Sequence, residues 1–231
     1  MRLFHGNSDV NFVPGFGKGR DYHDYGNAFY CTNDFESAAE WACLRKTTDT
    51  AYVYEYELHI PEALQPKASI LDFDKLDPAY WLSALLEHRV DKSEKAELYE
   101  RSVAFVELYP TDCAKYDIIY GWRANDRHFA IIRDFLNATT SLETAKEAIL
   151  LGNLGKQFVL KSERAFSWLS HMDKPMKKTA LSGEEYKKWH ASFIKKDVEG
   201  RADYDVLSGE ARRLAKESKQ RGTLIIDLVG F

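Results

Sequence analysis

The 231 residues hold 45% hydrophobic and 29% charged side chains, which suffices for one domain with a sizeable core and an ordinary surface. No apolar run approaches the roughly 18 residues that span a bilayer, and His5 and Asp9 interrupt any signal-peptide pattern. The three scattered cysteines, Cys31, Cys43 and Cys113, suggest neither a disulfide framework nor a zinc site, so a reduced cytoplasmic setting with no membrane contact is expected.

Residues 2–5 read as a first strand, followed by a loop in which Pro14, Gly15, Gly17 and Gly19 forbid regular structure. Asn27–Cys31 is a second short strand. Asn33 offers an N-cap oxygen with Glu36 three residues on, opening a helix over 34–46 that buries Phe35, Ala38, Ala39, Trp41 and Ala42. Ala51–Ile60 alternates strictly and is a strand closed by Pro61; Ala68–Phe73 is another. The pattern over 78–107 is helical, with Trp81, Leu82, Leu85 and Leu86 and then Leu98, Val103 and Phe105. Tyr116–Trp122 is a strand, Asn125 or Asp126 caps a helix carrying Phe129, Ile132 and Leu136, and Thr140 with Glu143 opens a helix to about Leu151. Lys156–Lys161 is a late strand.

Charge divides the chain. Residues 1–170 hold 19 basic against 26 acidic side chains, and residues 171–231 hold 13 against 10. An acidic body argues against broad nucleic-acid binding, since phosphate neutralisation needs a basic face. The basic tail reads as helical over about 183–196 and 206–220, and Thr223–Val229 reads as an added strand or a docked terminus. The expected organisation is an α+β domain over 1–170 with a basic helical extension, 171–231, packed on it.

Familiar catalytic motifs are absent. Gly15, Gly17 and Gly19 make no phosphate loop because Lys18 precedes neither Ser nor Thr, and there is no Gly-x-Ser-x-Gly, His-x-x-x-His or Cys-x-x-Cys. What stands out is His5-Gly6 at a strand end, which sets an imidazole beside an unobstructed backbone. About twenty residues on comes Tyr25-Gly26-Asn27-Ala28-Phe29-Tyr30-Cys31-Thr32, and then a helix with Trp41. Tyr30 and Trp41 are placed to sandwich a flat heterocycle. Taken singly, His5 reads as a satisfied core histidine and Tyr30 and Trp41 as core aromatics; the Gly6 neighbour and the downstream aromatics are what set a ligand role for His5 level with the core one, and Arg20 with Asp24 reads as a surface pair or as a pyrophosphate contact and a loop-ordering residue.

These pieces, with Tyr116–Asp126, Gln157-Phe158 and Ser162-Glu163-Arg164-Ala165, resemble an uncharacterised bacterial family assigned to the ADP-ribosyltransferase superfamily, on its diphtheria-toxin and poly-ADP-ribose-polymerase side. The resemblance implies a split β-core with flanking helices that clamps NAD+ as substrate, with no metal. It also implies transfer of ADP-ribose to a macromolecular acceptor by a toxin with a small antitoxin partner; the residue at position 157 points to single-unit transfer, and the acidic body favours a protein acceptor over nucleic acid. It implies catalytic roles for His5, Tyr30 and Gln157, and NAD+ contacts from His5, Gly6, Arg20, Gly26, Tyr30, Thr32 and Trp41. His5 holds a ribose hydroxyl, the Gly6 backbone pairs with the carboxamide, Tyr30 stacks on nicotinamide and Trp41 is a second stacking aromatic. Superfamily members carry a glutamate on the late strand; here the matching residue is Gln157, a neutral amide that leaves the charge to the acceptor's own carboxylate, to Glu163 or to Asp126. Asn7 after His5-Gly6 and Asn27-Ala28 are further departures. The rival readings are a silent NAD+-binding module and an interaction protein with the same fold.

Overall fold

A computed structural model describes residues 1–44, 49–90, 95–151, 154–170, 172, 174–218 and 222–230. Among the described residues eight strands form two sheets. In the first, β3 (Thr50–Leu58) pairs antiparallel with β1 (Arg2–Asn7) on one edge and with β8 (Lys177–Ser182) and β7 (Leu169–Ser170) on the other. The second runs in the order β2 (Phe29–Cys31), β6 (Lys156–Leu160), β5 (Ile118–Trp122), β4 (Ile70–Asp72), and only the β4–β5 pair is parallel. A bridge joins the sheets: Phe4 and Thr32 exchange N–H···O bonds of 2.7 and 2.9 Å. Beyond it β1 and β2 separate. Both polar groups of a strand residue point to the same edge as those of the residue two along, so the Gly6 amide and carbonyl follow those of Phe4 into the gap between the sheets.

The fold is α+β, as expected, with three apolar cores. Leu3, Tyr54, Tyr56 and Leu58 from the first sheet meet Phe29, Cys31, Ile118 and Leu160 from the second. The other face of the second sheet is covered by α2 (Pro78–Arg89), α3 (Ala96–Leu108), α4 (Asp126–Leu136) and α5 (Leu142–Ile149), around the fully buried Trp81, Phe105 and Phe135. The other face of the first sheet carries α1 (Phe35–Ala42), whose Ala38, Ala39 and Ala42 meet Ala51, Val53 and Leu181. Small residues here let the helix lie close on β1; a Cβ on Gly6 would stand 2.1 Å from the Ala38 carbonyl oxygen and 2.7 Å from the Ala42 nitrogen.

Several expectations are corrected. Asp34, not Asn33, caps α1, accepting from the Ser37 amide at 2.8 Å, and the helix closes at Ala42, with residues 45–46 outside the described set. The helical stretch 78–107 is two helices, α2 and α3, with 91–94 outside the described residues. Ser141 rather than Thr140 caps α5, while the Glu143 carboxylate turns to the Thr223 amide at 3.0 Å. The region beyond Met172 is not helical throughout: β8 completes the first sheet, and Trp189 of α7 (Gly183–Ser218) enters the core against α1. α7 is one helix of 36 residues rather than two. The last apolar run is a short helix, α8 (Ile225–Val229), docked through the buried Ile225. Among the described residues no helix is long and apolar enough to cross a membrane.

Candidate functional site

Where β1 and β2 diverge, the two sheets open onto a cavity of about 710 Å³, roofed by the loop between β1 and β2 and floored by α1, β6 and the turn after β5. His5, Tyr30, Trp41 and Gln157, four residues singled out from separate stretches of sequence, all line it. Arg20 lines its exposed rim. Three other expected contacts do not line the cavity. Gly6 lies against α1, Thr32 is buried with its hydroxyl accepting from the Asp34 amide at 3.2 Å, and Gly26 is a buried turn residue at φ 74°.

His5 is held in one tautomer by a short chain of bonds. Its Nδ1 lies 2.7 Å from the Tyr30 carbonyl oxygen, which can only accept, so Nδ1 carries the proton. The Asp9 amide donates to Asn7 Oδ1 at 3.0 Å, which turns Asn7 Nδ2 toward His5 Nε2 at 3.3 Å. Nε2 is thereby an acceptor. The ring stacks on Phe12 at 4.5 Å and 22° and tilts against Phe29 at 4.9 Å. Loss of water there lowers its pKa to about 4, against a smaller upward pull from the Tyr30 carbonyl, and the ring is neutral at pH 7.

Tyr30 is anchored by its hydroxyl, which donates to the Gly26 carbonyl at 2.6 Å and accepts from the Tyr25 amide at 3.1 Å. Its ring packs near His23 at 5.1 Å. Trp41 stands half-buried at the cavity, away from the apolar core that its helix was expected to bury it in. The Arg123 guanidinium lies 4.6 Å from the Trp41 ring centre and 5.2 Å from that of Phe193, so one face of the indole is taken by a cation. Burial brings the Arg123 pKa down to about 10, which leaves it charged.

Gln157 is 3% exposed. Its amide faces the Trp122 carbonyl at 3.1 Å and the Asp24 carboxylate at 3.2 Å; both only accept, so Nε2 faces them and Oε1 is the atom left for a ligand. Asp24, also buried, takes the Ala124 amide at 2.9 Å and stands 3.9 Å from Arg89 Nε. Glu163, weighed as an acid for the site, is exposed at the start of α6 (Glu163–Ser167) and does not line the cavity. Asp126 opens α4, and its side chain lies outside the described residues.

Sequence reading missed Phe12, Arg89 and Arg123, and it gave Asp24 only a loop-ordering role. Lys18, Arg20, Arg89 and Arg123 line the cavity against Asp9 and Asp24, a local excess of positive charge on a chain of net charge −4. The fold also brings Glu87, His88 and Cys113 to within 4.8 Å of one another, a grouping no spacing announced. Burial lowers the His88 pKa and raises that of Cys113 to about 11, and the nearby Lys161 ammonium opposes a cation there.

Residues 1–171 match the family described as a protein of unknown function, DUF3990, and the chain belongs to that family. No curated protein and no solved structure matches it.

Proposed function

We propose that the protein binds NAD+ in the cavity between its sheets, cleaves the bond from nicotinamide to ribose, and passes ADP-ribose to a macromolecular acceptor. The observation that carries this reading is the convergence of His5, Tyr30, Trp41 and Gln157, from β1, β2, α1 and β6, on one cavity. About 710 Å³ falls within the roughly 300–1,000 Å³ of small-molecule sites.

The chemistry of the lining suits the ligand. Gln157 Oε1 is an acceptor for a ribose hydroxyl, and a second hydroxyl that displaces Asn7 Nδ2 finds an acceptor at His5 Nε2. Lys18, Arg20, Arg89 and Arg123 suit a diphosphate. The nicotinamide ring of NAD+ is cationic, and an aromatic face attracts such a ring by roughly 0.5–2 kcal/mol. Departure of nicotinamide leaves an oxocarbenium-like centre, so catalysis consists of orienting the ribose and offsetting its charge. The acidic body favours a protein acceptor, and the resemblance to the ADP-ribosyltransferase superfamily supports the cellular role of a toxin held in check by a small antitoxin.

A second reading rests on Gln157, whose amide brings no charge to the cation: a silent NAD+-binding module. Incubation with adenine-labelled NAD+ and a bacterial lysate separates the two. Label on a macromolecule, lost in His5→Ala, supports transfer, and protease or nuclease treatment identifies the acceptor class. Binding without label or nicotinamide release favours the silent module.

A further inference from the structure

We propose that Asp24 supplies the negative charge that Gln157 lacks, the two side chains together acting as a split carboxylate. This rests on the cavity being an NAD+ site. The chemistry needs two things at that point: an acceptor that fixes a ribose hydroxyl, and an anion near the developing cation. A glutamate gives both from one side chain. Here Gln157 Oε1 supplies the acceptor, and the charge sits one hydrogen bond behind it, where Asp24 Oδ2 accepts Gln157 Nε2 at 3.2 Å. The amide is polarised by the carboxylate, so Oε1 is a stronger acceptor than that of a free glutamine.

Asp24 is built to stay in place. It is 8% exposed and lines the cavity, with the Ala124 amide fixing one oxygen at 2.9 Å and Arg89 standing 3.9 Å from the other. A buried carboxylate is costly unless it is bonded and offset, and a residue that only tied the loop to Ala124 needs no charge. In the reaction the bond from ribose C1′ to the nicotinamide nitrogen breaks, both electrons leave with nicotinamide, and the positive charge passes to C1′ and the ring oxygen. A hydroxyl of water or of the acceptor then forms the new C1′–O bond and gives its proton to solvent. Asp24 faces the charge without being consumed. Gln157→Glu alone sets two carboxylates side by side, so it brings no gain while Asp24 is ionised.

The test measures NAD+ binding by calorimetry and nicotinamide release in the wild type, Asp24→Asn and the charge-relocating double variant Asp24→Asn/Gln157→Glu. Thermal unfolding checks that each is folded. Asn keeps the shape and the acceptor for Ala124 but not the charge. The expected result is a drop of about 10²-fold in kcat for nicotinamide release in Asp24→Asn, the size of losing one preorganised electrostatic group. KM stays nearly unchanged and the double variant recovers most of the rate. A wild-type rate in folded Asp24→Asn, or a double variant that stays as slow as Asp24→Asn, overturns the inference while the NAD+ reading stands. A wild type that binds NAD+ but releases no nicotinamide also overturns it and leaves the silent module. A wild type that binds no NAD+ removes both.

Discussion

Acid should destabilise this protein through His5 in a measurable window. Unfolded, the imidazole titrates at 6.5; folded between Phe12 and Phe29, it titrates at about 4. Below pH 6.5 the unfolded chain takes up a proton that the folded protein refuses. Stability is therefore full above that pH, falls as the pH drops through about 4, and levels off below it on this account. At about 1.4 kcal/mol per pKa unit the full effect is at most about 3.5 kcal/mol, about 3 of it reached by pH 4, an upper bound because the ring reaches the cavity. The His5→Gln variant lacks this proton and keeps an amide able to donate to the Tyr30 carbonyl. Urea unfolding followed by tryptophan fluorescence, from pH 7 down to pH 4, gives the stability difference between wild type and variant. That difference should shift against the wild type by up to about 3 kcal/mol across the window. Parallel profiles would refute a neutral, desolvated His5. Since no proton is gained near neutrality, NAD+ affinity should be flat between pH 8 and pH 6.

Gly6→Ala drives a Cβ to 2.1 Å from the Ala38 carbonyl oxygen, which cannot move without α1, so a destabilisation of about 3 kcal/mol is expected by thermal or urea unfolding. Lys196→Met takes the ammonium from Glu40, which is 1% exposed and otherwise bonded to Ser192 at 2.6 Å. With Lys196 35% exposed and Arg123 still acting on the carboxylate, the cost should be about 1–3 kcal/mol, largely recovered when Glu40→Gln is added. Truncation after residue 170 removes β8 and α7, opening one edge of β3 and uncovering Ala38, Val53 and Ala51. The 1–170 fragment should therefore aggregate or give an expanded far-ultraviolet and gel-filtration profile, while residues 1–231 elute compactly.

The elements whose buried face imposes a spacing on the residues, β3, α4 and β6, were legible for that reason, and α2 through its run of consecutive buried residues from Trp81 to Leu86. β8 was not: of Lys177–Ser182 only Leu181 is buried, so an edge strand with two lysines reads as basic tail. α7 runs unbroken through Gly200, whose cost of about 1 kcal/mol relative to Ala is outweighed by packing on either side. The cap at Asp34 rather than Asn33 is a one-residue error that no local rule separates. In the site, the strand and helix positions of His5, Tyr30, Trp41 and Gln157 were readable, because each sits at a recognisable point of an element. The partnership of Asp24 with Gln157 was not, since 133 residues separate them and only the pairing of β2, β6 and β5 brings the loop beside the turn after Trp122. Arg123 likewise reads as an ordinary post-strand cation until Trp41 and Phe193 close on it.

The most direct test of the NAD+ site is a calorimetric titration of the full chain with NAD+ at pH 7, repeated with Arg123→Ala and Trp41→Ala. The account predicts saturable binding at one site per chain, weakened in both variants while their unfolding transitions remain cooperative. Absence of binding to the folded wild type at millimolar NAD+, or equal affinity in all three proteins, would contradict it.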